Sequence, residues 1–236
     1  MRARPTFSTM TTSMTAPLPS SKRNGATARN NEVSKSPALR HSIVSFRVAA
    51  FESSEPRRCF RDAIRFHAGW AMLVILDFAG EGALNVNAQT YLKFVVRAAA
   101  TRSPEPDAIL REINGVLSTH GQRATASCAV LDANENLLLV SSAGASSPWI
   151  VRGGERVVRV LTPASIELGR VNDAAFPARR LHFDRRDAFI LPSAEWAARL
   201  DGMFATKPSA GTAPADWLRA CPERLQDGCA LCLTFC

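Results

Sequence analysis

VILDFAGEG, residues 74–82, is the stretch that sets the architecture. It closes WAMLVILDF (70–78), which is apolar throughout. A run of that length, apolar at successive positions and bounded by a breaker, predicts a strand in the middle of a sheet. Asp77 stands at its end. AGEG (79–82) breaks the strand, and helical spacing follows over 83–100, with Leu84, Ala88, Tyr91, Leu92, Val95 and Val96 on one stripe.

Upstream, SIVSFRVAA (42–50) and CFRDAIRF (59–66) read as strands, and a tight HAG turn joins the second to WAMLVILDF. Downstream, Ser103 as N-cap and Pro104 at the first position predict a second helix, which buries Ile109, Leu110, Ile113, Val116 and Leu117. Three hairpins are then expected. TASCAVLD (125–132) pairs with LLLVSSAG (137–144), and PWIVR with RVVRVL across Gly153-Gly154 (148–161). ARRLHF (178–183) pairs with AFILPS (188–193). Helical EWAARLDGMF and ADWLRA precede a closing strand, GCALCLTF. Strands do not alternate regularly with helices, so the pattern predicts a layered α+β domain rather than a doubly wound sheet.

The chain has 236 residues, 46% hydrophobic and 21% charged, which suits one globular domain. Its formal net charge of +8 sits near the N-terminus. Residues 1–60 hold ten Lys and Arg against three Glu, and the remainder holds nineteen basic against eighteen acidic residues. A domain that bound a phosphate backbone would carry a basic face of its own, so no nucleic-acid partner is expected. No apolar run is long enough for a membrane span. Residues 1–41 are read as a disordered basic tail and 42–236 as the folded domain.

The six cysteines include Cys229 and Cys232 in C-x-x-C spacing. On a strand these two point to opposite faces, which is poor geometry for one ion. The cysteines are therefore expected as buried thiols in a reducing, cytoplasmic compartment.

Six segments in order resemble the motifs of bacterial metal-dependent protein phosphatases (PPM) of the SpoIIE/RsbU type. VILDFAGEG is similar to V-I-x-D-x-x-G-x-G, and FESSEPRRCFRDAIRF to A-E-x-x-G-G-D-x-x-D one strand earlier. LLLVSSAGASSPWIVRGGE is similar to the stretch around N-A-G-H-P-P, and SIELG to G-x-P-L-G. LHFDRRDAFILPSAEW is similar to L-x-x-G-D-x-L-x-L-Y-T-D-G, and QDGCALCL to D-D-x-T-L-L-V. The resemblance implies an α-β-β-α sandwich of two mostly antiparallel sheets. It also implies Mn²⁺ or Mg²⁺ held by aspartates, which as hard oxygen donors offset the cation charge while two metals activate a water.

Carried over residue by residue, the ligand set is thin. Asp77 keeps the bridging position, and Phe78 would give the adjoining backbone carbonyl. Cys59, Ala194 and Gln226 stand where the family has aspartates, while Asp227 sits beside a ligand position. Asp62 matches the second acid of its motif, but residues three apart on a strand face opposite ways. Cys59 is a soft ligand that Mn²⁺ and Mg²⁺ disfavour, and Ala194 cannot coordinate. One ion or none is the expectation. Arg57-Arg58 replaces the two glycines of G-G-D and is a candidate phosphate contact.

Each residue also has a plainer reading: Asp77 as a cap or turn residue, Asp227-Gly228 as a turn, Cys59 as an inert core thiol, and Arg57-Arg58 as a solvated turn. The leading expectation is a regulatory pseudophosphatase that binds a phosphorylated regulatory protein of the anti-sigma-antagonist type. An active phosphatase with a reduced metal site and an unrelated α+β binding module are the alternatives.

Overall fold

The computed structural model describes residues 46–52, 58–66, 69–79, 86–144, 147–153, 156–205 and 229–235. Its elements run β1 (Phe46–Glu52), β2 (Cys59–Arg65), β3 (Trp70–Phe78), α1 (Val86–Arg102), α2 (Pro106–Thr119), β4 (Ala124–Asp132), β5 (Leu137–Ala143), β6 (Trp149–Arg152), β7 (Arg156–Arg159), β8 (Arg179–His182), β9 (Ala188–Pro192), α3 (Ala194–Ala205) and β10 (Cys229–Phe235).

Among the described residues two five-stranded sheets result, ordered β1-β10-β9-β6-β7 and β2-β3-β4-β5-β8. Every strand pair is antiparallel. Three apolar layers account for the stacking. Leu92, Val96, Ile109, Leu110 and Ile113 of α1 and α2 pack on Met72, Val74 and Leu76 of β3. The opposite face of β3, Leu73 and Ile75, meets Phe189, Leu191, Leu231 and Leu233 of the other sheet. That sheet's outer face, with Ile190 and Cys232, packs on Trp196, Ala197 and Leu200 of α3. Strands β3, β9 and β10 are thus buried on both faces, which is why they read as unbroken apolar runs. This is the expected α-β-β-α sandwich.

Several local expectations need correction. The third hairpin does not form: β8 pairs with β5, while β9 lies between β10 and β6 in the other sheet. AFILP is apolar on both faces and requires an interior position, whereas RRLH offers only Leu181 and suits an edge. The buried Asp187 carboxylate holds the crossing loop. It accepts the N–H groups of Asp184 (2.9 Å) and Gly153 (3.1 Å) and pairs with Arg152.

Helix α2 starts at Pro106 rather than Pro104. Glu105 precedes a proline and is held extended at ψ 126°, so it cannot join the helix, and Ser103 instead closes α1 through its N–H to Ala99 O. Helix α1 is described from Val86, with Leu84 outside the described residues, and its buried stripe is Leu92, Val96, Ala99 and Ala100, leaving Tyr91 exposed. Val116 of α2 is only half-buried. The ADWLRA helix and residues 42–45 lie outside the described residues.

SIELG is anchored by α2. Asn114, fully buried, accepts the Gly169 N–H (2.7 Å) and donates to the carbonyls of Val171 (2.9 Å) and Asn172 (2.8 Å). Gly169 sits at φ +76°, where an added Cβ would lie 1.8 Å from Gln122 O, so only glycine fits.

Candidate functional site

Cys59 opens β2 directly opposite Asp77 at the end of β3. Both face the layer between the sheets, because Cys59 packs there, as do Leu73 and Ile75, which share Asp77's alternation. Asp62 lies on the other face. It is 8% exposed and makes a two-pronged ion pair with Arg97 of α1, at 2.8 and 3.2 Å. Strand alternation thus removes Asp62 from the side that holds Asp77.

Across the layer, α3 begins at the end of β9. Its first residue, Ala194, donates its backbone N–H to Asp77 Oδ2 at 2.6 Å. A carboxylate at a helix start satisfies an N–H left without an intrahelical partner and complements the helix dipole. Asp77 therefore does cap a helix, though not the one that follows it in sequence. Burial pushes its carboxyl up to about 6; the Ala194 N–H opposes this, and the nearby Glu195 carboxylate adds to it.

Ser193, buried ahead of Ala194, stitches α3 to β10. Its hydroxyl accepts the N–H of Cys229 (3.1 Å) and lies 3.5 Å from the N–H of Trp196, and its own N–H donates to Cys229 O (2.8 Å). Ser193 is not among the residues expected at the site; the signal that marks it is a serine immediately before AEW, an N-cap pattern.

Cys59 and Cys229 are joined by a disulfide across the sheets, with Cα atoms 6.5 Å apart and 170 positions between them in sequence. This corrects the expectation of thiols at Cys59 and Cys229, and removes the support those two gave to a reducing compartment. The inference failed because the partner of Cys59 is set by sheet packing rather than by spacing. Cys128 and Cys232 are buried thiols as expected, and Cys229 and Cys232 do point to opposite faces.

Phe78 donates its N–H to Arg58 O (2.9 Å), which extends the β2–β3 ladder, and its half-buried ring packs toward the helices. Arg58 is exposed. Arg57, Gln226 and Asp227 lie outside the described residues. Among the described residues no three His, Cys, Asp or Glu side chains assemble as a metal-ligand group, and no helix is long and apolar enough to cross a membrane.

The model of the family Stage II sporulation protein E (SpoIIE) matches residues 68–193, more than half of the chain. No curated protein matches the chain in sequence. Solved structures do match in fold. The RsbU and RsbW domains of a Mycobacterium tuberculosis protein align at TM-score 0.67 with 18% identity, over 82% of this chain and 60% of theirs. The PP2C phosphatase domain of Bacillus subtilis SpoIIE, with a fragment of its regulatory domain, aligns at 0.64 with 13% identity, over 81% and 62%. RsbX in complex with magnesium aligns at 0.60 with 14% identity, over 80% and 94%. The chain thus spans less than two thirds of the length of the first two, and at these identities the likeness is one of fold.

Proposed function

Since the chain belongs to the SpoIIE family of PP2C-type phosphatases, we propose that it acts as a regulatory pseudophosphatase, binding a phosphorylated signalling protein with little or no turnover. One arrangement carries this reading. Asp77, the acid kept at the bridging position, spends its Oδ2 on the Ala194 N–H, while Cys59 opposite it is bonded to Cys229. Two divalent cations need several carboxylates to offset four positive charges. Here Asp62 faces α1 in an ion pair, and Ala194 presents a backbone donor where a ligand would stand. The described residues do not fit a two-metal centre.

The partner class follows from the company of the fold. One similar structure joins an RsbU domain to an RsbW domain in one chain, and another comes from work on the bacterial stressosome. A phosphorylated regulator of the anti-sigma-antagonist type is the proposed ligand. Arg58, exposed beside Cys59 with Arg57 before it in sequence, is the proposed phosphate contact.

A second reading, an active phosphatase with one Mn²⁺ or Mg²⁺, draws on Asp77 itself, which pairs with a backbone N–H rather than a cationic side chain. In that reading Asp227 completes the site.

The two separate in one experiment. Titration with Mn²⁺ and Mg²⁺ is expected to leave hydrolysis of an aryl phosphate and a phosphoserine peptide at background. Metal-stimulated turnover abolished by Asp77→Ala would establish the second reading instead. Cys59→Asp, Ala194→Asp and Gln226→Asp together are expected to create Mn²⁺ binding measurable by calorimetry; no gain would sink the assignment of these positions.

A further inference from the structure

Cys59 and Cys229 meet only through the fold. Each is the first residue of its strand, the strands belong to different sheets, and no ladder joins them. Their bond closes a ring of contacts at one end of the sandwich. Cys59 opposes Asp77 on β3, Asp77 accepts the N–H of Ala194, Ser193 bonds Cys229 through backbone and hydroxyl, and Cys229 returns to Cys59. The disulfide is the ring's one covalent link between the sheets. The other described thiols stand apart from it. Cys128 lies in the layer under α1 and α2, and Cys232 in the layer under α3, so neither shares the pair's layer.

We propose that Cys59 and Cys229 form a reversible thiol–disulfide site that locks the start of α3 and the start of β10 to β2, the edge strand of the sheet covered by α1 and α2. The reductant is a dithiol. One of its thiolates attacks a sulfur of the pair, giving a mixed disulfide and expelling the other cysteine, which takes up a proton. The second thiol of the reductant then closes its own disulfide and releases the first cysteine, also protonated. Two electrons pass to the protein. A small-molecule disulfide reverses the exchange, leaving as two thiols. The sulfurs are buried, at 5% and 1% residue exposure, so the exchange runs through local opening of the two strand starts.

The proposal does not rest on the pseudophosphatase reading, because its readouts are thiol mass and amide exchange rather than turnover. The full chain would be equilibrated in graded ratios of reduced and oxidised glutathione, and separately with dithiothreitol, then quenched, alkylated and mapped by mass spectrometry. Cys59 and Cys229 are expected to become alkylatable together, in one two-electron transition. Hydrogen exchange at Ser193–Trp196 and Ala230–Leu231 should rise at least about tenfold on reduction while Met72–Leu76 stay protected. The thermal midpoint should fall by about 10 °C. Cys59→Ser or Cys229→Ala should show the reduced pattern in either buffer. Failure of a variant to fold leaves the wild-type titration decisive. Labelling of one cysteine without the other, a bond that resists dithiothreitol in the native state, or identical exchange in both states would overturn the proposal.

Discussion

Asp77 shows how little a residue's type says about its task until its partner is known. As a strand-end acid it has a capping reading from its chemistry and a metal reading from the family resemblance. The fold gives it the Ala194 N–H, 117 positions away, within a half-buried setting whose desolvation lifts its carboxyl to about 6 from 3.8. Between those two values the folded protein holds a proton that the unfolded chain has released. The contribution of Asp77 is therefore present in full below pH 3.8 and is lost as the pH rises through about 6. Asp77→Asn keeps a neutral acceptor for the same N–H. The variant should gain on the wild type by about 1–2 kcal/mol between pH 4 and pH 7, a figure reduced for partial solvent screening. Urea unfolding at the two pH values checks this, and an unchanged difference would mean that the carboxyl is not perturbed. Cys128 is simpler: burial pushes its thiol well above the usual range, which marks it as inert.

The elements were legible to the extent that their burial is two-sided or one-sided. WAMLVILDF and CALCLTF have apolar residues on both alternating faces and sit inside their sheets, whereas RVVR and RRLH carry arginines and sit at edges. The same contrast separates β8 from β9, and a hairpin expectation built on proximity in sequence overrode it. The SIELG loop illustrates a different limit. Its glycine was visible, but the demand for glycine at Gly169 comes from Gln122 O and from the Asn114 side chain on α2. Gly169→Ala should cost about 2–4 kcal/mol, since it strains a positive φ and meets backbone that cannot move freely. Asn114→Ala should cost a similar amount by leaving the 169–172 backbone groups unpaired. The two should be less than additive, because both release the same loop. Denaturant unfolding of the single and double variants measures this, and full additivity would mean that the loop is not the shared cause.

Across the molecule, stability should be graded by layer. β3 and β4 are fully paired, and the helix layer and the inter-sheet layer bury opposite faces of both. Amides of Met72–Leu76 and Ala126–Leu131 are expected to exchange only through global unfolding, with β7 and β8 exchanging far faster from the sheet edges. Hydrogen exchange under native conditions checks the order, and equal protection of β8 and β3 would contradict it. What the amino-acid sequence determined by itself was the kind and order of the elements, the layered α+β class and the family motifs. Each of those depends on periodicity and spacing within a few residues of chain. Only the tertiary structure decided that β8 and β9 part company, that Asp62 belongs to Arg97, that Asp77 caps α3, and that Cys59 bonds Cys229. These pairings join residues 35 to 170 positions apart; the Asp62–Arg97 pair exists because α1 packs on the outer face of its sheet, and the Asp77–Ala194 and Cys59–Cys229 contacts because two sheets bury their inner faces against each other. Local propensity carries no record of which strand end will lie across that layer.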